Sequence, residues 1–107
     1  MQEPGLDRHE WETRWEELEP LVRDSPREAL TDLDDLVAQM LTERGFPIDD
    51  PVAIEGDEPE IVTDFRAARD ITRRIEAGTD DDPGDIAVAI GNYREVYEFL
   101  LAERSAP

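Results

Sequence analysis

The sequence predicts an all-α protein, a compact bundle of four main helices with an irregular connector (about 46–58) packed across it. Three observations carry this expectation. Apolar residues recur at three- and four-residue spacing in four separate segments, which stacks them on one helical face. The segments are bounded by helix start and stop residues. No stretch alternates apolar and polar residues as a half-buried strand does, and no internal repeat competes. At 107 residues the chain fits one domain, read as residues 7–103 between flexible ends at 1–6 and 104–107.

The first helix is expected from an N-cap at Asp7 to about Val22, with Trp11, Trp15, Leu18 and Val22 on one face. Pro20 lacks the N–H that continues a helix, so it should kink this one or end it near Glu19. Ser25-Pro26-Arg27-Glu28 then reads as a full start signal, with a Ser cap, Pro at the first helical position and Glu28 reaching back as in a capping box. Leu30, Leu33, Leu36, Val37, Met40 and Leu41 form the stripe of the second helix, opposite Glu28, Asp32, Asp35 and Gln39. Gly45 closes it in the left-handed conformation, and Phe46 is placed to pack back.

The connector (FPIDDPVAIEGDE) holds two prolines and a glycine, while Phe46, Ile48, Val52 and Ile54 suit a segment lying across the bundle. A third helix is predicted from about Pro59 to Ala77, with Ile61, Phe65, Ala68, Ile71 and Ile75 inward and Gly78 as its stop. The fourth starts after Asp82-Pro83, an N-cap followed by proline, and runs to about Glu103. Ile86, Ala89, Ile90, Tyr93, Val96, Tyr97, Leu100 and Leu101 cover one broad face of it. Only 38% of residues are apolar, a level that some disordered chains share, but these bounded stripes favour a folded core.

Charge narrows the function. The net charge is −18, from 29 acids against 11 cations, all arginine. Direct nucleic-acid binding and attachment to an anionic membrane are therefore not expected. With no cysteine, disulfides and thiolate metal sites are excluded. Residues 1–54 carry −10 and residues 55–107 carry −8, so the acid coats the whole surface and forms no tail. That pattern fits a salt-adapted cytosol, where molar salt screens charge over about 3 Å, or a high-GC genome that favours Arg over Lys. The polar start at Met1–Arg8 and the lack of a long apolar run predict a cytoplasmic protein.

Motifs for chemistry are sparse. Asp80-Asp81-Asp82-Pro83-Gly84-Asp85 fails as a calcium loop, because counting from Asp80 puts Asp85 at the glycine position and Gly91 at the glutamate position. Its acids are better explained by the positive end of the fourth helix. His9 is the only histidine and has no partner at metal-binding spacing, Ser25 is read as a cap, and glycine-rich phosphate loops are absent. No catalytic, cofactor or metal residue is assigned, and an enzyme is not expected.

Two features remain as candidate interaction surfaces. Arg66, Arg69 and Arg73 share one side of the third helix, either pairing with acids on neighbouring helices or forming an anion-binding strip. Val88, Asn92, Glu95 and Phe99 form a separate face of the fourth helix, either covered by core and connector or open to a partner.

Several strings resemble a family of uncharacterised helical domains found in many actinobacterial proteins. They are Asp24-Ser25-Pro26-Arg27-Glu28-Ala29, Leu36-Val37 followed by Arg44-Gly45-Phe46-Pro47-Ile48-Asp49-Asp50, Phe65-Arg66-Ala67-Ala68, and Asp85 with Tyr93-Arg94 and Leu100-Leu101. The resemblance spans most of the chain from Trp11, and the Arg44–Asp50 string is its most specific part. Some members follow a membrane-anchored segment, which is not expected here, and Arg69 stands where the family has histidine. The resemblance implies a helical fold and brings no catalytic residue or ligand with it. Together these readings predict a non-enzymatic protein-interaction or regulatory module, binding a protein partner or a second copy. The alternative is an acidic DNA mimic or antitoxin-like inhibitor of a basic partner; a carboxylate-based or metal-dependent enzyme is a distant third.

Overall fold

A single residue, Ser25, joins the first two helices. The computed structural model describes residues 8–46 and 60–105. It contains α1 (Arg8–Asp24), α2 (Pro26–Glu43), α3 (Glu60–Glu76) and α4 (Pro83–Ser105), with no strand among the described residues. The all-α bundle is thus the fold. Asp7, residues 1–6 and connector residues 47–58 lie outside the described residues, so the readings of the first cap and of the crossing connector do too. α4 continues through Ser105, two residues into the stretch read as a flexible end.

Two local expectations are corrected. Of the two outcomes expected at Pro20, the end near Glu19 is excluded, because α1 runs through Pro20 to Asp24. Pro20 and Glu16 are both exposed, so water can reach the carbonyl that Pro20 leaves without a donor. Leu21 and Val22 beyond it pack against the core, which favours continuing the helix. Replacing Pro20 by Ala restores that hydrogen bond and is expected to stabilise the fold by about 1 kcal/mol, part of the roughly 3 kcal/mol proline penalty in a helix interior. A thermal melt should show a rise of roughly 4 °C, and an unchanged or lower midpoint would refute this account.

The second correction is at Ser25. Pro26 does occupy the first turn of α2, but the Ser25 side chain makes no cap hydrogen bond. No capping box forms, because the Ser25 N–H that Glu28 would need donates to the Leu21 carbonyl at 2.7 Å. The end of α1 has taken the donor at the start of α2.

The helix stops follow expectation. Gly45 and Gly78 have φ of 87° and 80°, the left-handed region where a side chain is strained. Phe46 N–H donates to Leu41 O and Gly45 N–H to Thr42 O, both at 3.0 Å, which satisfies the last carbonyls of α2. Thr79 to Arg74 and Gly78 to Ile75 repeat the pattern after α3. At the start of α4, Asp82 Oδ1 accepts from Gly84 N–H at 2.8 Å, a side-chain N-cap.

The core lies where these faces meet. α4 packs mainly on α3 and α2, and α1 lies mainly on α2. The whole predicted stripe of α2 is buried. On α3 the inward face is turned slightly from the predicted one: Val62 and Thr72 are buried, whereas Ile61 is half-buried. On α4 every residue of the broad face is buried except Ile90, which is half-buried. Trp15 stacks on Tyr97 with ring centres 4.2 Å apart, and its indole N–H donates to Glu19 at 2.7 Å. This ties α1 to α4 across α2. Burying such a side chain contributes about 1.5–3 kcal/mol.

Candidate functional site

A polar cluster crosses the contact of α2, α3 and α4. Asp34 is only 8% exposed, although it is charged and lies on α2 between Leu33 and Leu36. Arg69 on α3 reaches it with Nε at 3.1 Å from Oδ2 and Nη2 at 2.9 Å from Oδ1, a bidentate pair. The Tyr93 hydroxyl on α4 donates to Oδ2 at 2.8 Å, and Thr72 Oγ1 lies 2.7 Å from that hydroxyl. Two hydroxyl protons serve three contacts. The Tyr93 proton goes to Asp34, so the Thr72 proton is shared between Tyr93 and the Ala68 carbonyl 3.0 Å away.

Burial pushes the Tyr93 phenol far above the usual tyrosine range; the Thr72 hydrogen bond opposes this, and Asp34 adds to the rise. Tyr93 therefore remains a donor at any working pH. The Arg69 guanidinium also lies 4.7 Å from the Phe65 ring centre. The polar atoms of the cluster face each other and link three helices, an arrangement suited to fixing helix register.

Acids elsewhere have local uses. Asp80 Oδ1 accepts from Asp82 N–H at 2.9 Å, which holds its carboxyl below the usual range, while Asp80 beside Asp85 raises that of Asp85. Arg74 pairs with Asp70 and reaches Asp80 and Asp85 at 3.5 and 3.9 Å. Among the described residues, no three His, Asp or Glu groups are arranged to hold a metal. His9 is exposed on the first turn of α1.

Between α1 and α2 a cleft of about 270 Å³ is lined by Arg14, Glu17, Leu18, Asp32, Asp35 and Gln39, with Arg14 donating to Gln39 at 2.9 Å. Partial burial, then the neighbouring Asp34 and Asp32, raise the Asp35 carboxyl above 3.8. A raised carboxyl binds its proton more tightly in the folded state, so its contribution to stability falls as pH rises through the carboxylate range. Asp35→Asn should therefore raise the melting temperature by about 2 °C at pH 7, in keeping with the usual limit of about 0.5 kcal/mol for surface changes. The gain should fade as pH falls through the carboxylate range; a gain equal at pH 3 and pH 7 would contradict the cause given.

The two predicted surfaces fare differently. Arg66, Arg69 and Arg73 do not act as one strip. Arg69 is committed to Asp34, Arg66 is half-buried with contacts of its own, and Arg73 is exposed. The α4 face is more open. Val88 is 53% and Phe99 42% exposed, Glu95 is exposed, and half-buried Asn92 donates from Nδ2 to the Asp64 carbonyl of α3 at 3.3 Å. Beside Phe99, a groove of about 200 Å³ is lined by Phe46, Glu60, Ile61 and Asp64.

Sequence reasoning missed Asp34, Thr72 and Tyr93 as a cluster. A signal was present: Leu30, Asp34, Val37 and Leu41 follow a 4-3-4 column, which puts a carboxylate in line with core residues. No helix among the described residues is long and apolar enough to cross a membrane. Comparisons with protein-family models, with curated proteins and with solved structures found no match.

Proposed function

We propose that this chain is a non-enzymatic protein-interaction or regulatory module whose working surface is the outward face of α4 with the adjoining edge of α3. The supporting observation is the exposure of Val88 and Phe99 on one line of a helix whose other large apolar residues are buried or half-buried. Exposed large apolar side chains aligned in this way suit contact with another protein. The polar clusters leave this face alone: Asp34 is occupied by Arg69 and Tyr93, and the acids before α4 serve its first turn. Membership of the actinobacterial helical family, resting on its motifs, is part of the same reading, as is a cytoplasmic setting.

The test compares wild type with Phe99→Asp and Val88→Asp in affinity capture from the source cells, with light scattering at low and molar salt. Both variants should keep the wild-type melting temperature within about 2 °C, since neither position is core. Both should lose a captured partner or a self-association. Variants that retain every wild-type contact would refute the assignment.

A further inference from the structure

We propose that the groove beside Phe99 receives an amphipathic segment of a basic partner protein, one apolar side chain entering between Phe46, Ile61 and Phe99 while Lys or Arg residues meet the acidic rim. This deepens the reading of α4 as an interaction surface and rests on it. The groove has room for one large aliphatic side chain, and its polar lining consists of two carboxyl-bearing residues, Glu60 and Asp64. Glu95 adds a third acid one turn along α4 from Phe99. Among the described residues no arginine lines it: Arg69 of α3 is turned to Asp34 on α2, and Arg44 donates to the Leu100 carbonyl at 3.0 Å.

Size and charge together select the occupant. Val88 and Phe99 are eleven positions apart, roughly 16 Å along the axis, the length of three helical turns. A partner helix with anchors three or four residues apart can follow that line. A second copy is disfavoured because a two-fold contact through this groove would bring two acidic rims together on chains of charge −18 each. Phosphate-bearing surfaces are repelled for the same reason.

The test uses the full chain and a labelled three-turn peptide with leucines on one face and lysines and arginines on the other. A scrambled peptide of equal composition and a version with glutamates for the cations serve as controls. Fluorescence anisotropy should show the basic amphipathic peptide binding at least tenfold tighter than either. Phe99→Ser should lose at least tenfold and Phe99→Leu most of that loss should restore. Glu60→Gln with Asp64→Asn should weaken binding severalfold and flatten its salt dependence.

Equal binding of the scrambled peptide, untouched by Phe99→Ser, would reduce the effect to net charge and overturn the proposal. Binding that emerges only after Ile48, Val52 and Ile54 are replaced by Ser would make the chain's own segment the occupant and overturn it too. So would a dimer that Phe99→Ser abolishes. If no basic peptide binds while Phe99→Asp still removes a captured partner, the interaction reading stands and only the basic chemistry falls.

Discussion

Asp34→Ala should lower unfolding stability by about 3 kcal/mol. The substitution leaves the Arg69 guanidinium, 18% exposed in its side chain, without its bidentate partner and removes the acceptor of the Tyr93 hydroxyl. Breaking a buried pair from one side costs about 3–5 kcal/mol, because the remaining charge stays desolvated. Residual exposure of Arg69 lets water relieve some of this, which favours the lower end. A domain of this kind has about 5–15 kcal/mol in total, so the loss is a large fraction of it.

The double variant Asp34→Leu with Arg69→Met should recover most of the loss, since replacing both ions by apolar groups removes the orphaned charge. Tyr93→Phe should cost about 1 kcal/mol, the usual net value of one hydrogen bond. Urea unfolding measures all three. An Asp34→Ala midpoint within error of wild type would show that the cluster adds nothing to stability.

Phe65→Ala should cost about 3–5 kcal/mol, the range for removing a fully buried aromatic ring. Phe65 has no exposed surface, meets the edge of Tyr93 at a ring distance of 6.0 Å and lies under Arg69. Its removal opens a cavity at the contact of α3 and α4 and takes the aromatic face from the guanidinium. A double-mutant cycle with Arg69→Met should show coupling of about 0.5–2 kcal/mol beyond simple addition. Additive losses would mean that the cation and the ring are merely neighbours. A Phe65→Ala cost below 1 kcal/mol would mean that the site collapses around the missing ring.

The helices were legible because each stripe is a property of one segment. Leu30 to Leu41 repeat at helical spacing whatever lies opposite them, and Gly45 and Gly78 stop a helix by local backbone geometry. Legibility failed where one group had two suitors. Ser25 has the sequence of a cap, yet its N–H is bound by Leu21 from the preceding helix. Pro20 is a helix breaker in isolation, and packing of Leu21 and Val22 overrides it. Asp34 is separated from Arg69 by 35 positions, so periodicity within either helix cannot pair them. Their angle from the main stripe of α4 set Val88 and Phe99 apart, but it left open whether core and connector cover them. The groove beside Phe99 was not legible, because it also needs Phe46 and Ile61 from other parts of the chain.

The join at Ser25 has a topological consequence. Its φ of −142° and ψ of 66° are not helical, and the following Pro26 disfavours the helical region for any residue in that place. With helical angles there, Arg8–Glu43 would form one rod roughly 54 Å long at 1.5 Å per residue. Trp11 and Trp15 would then be carried away from their own α2 and could seek the core of another molecule. The fold-back that keeps this bundle within one chain is thus held by a proline where most helical hairpins rely on a loop.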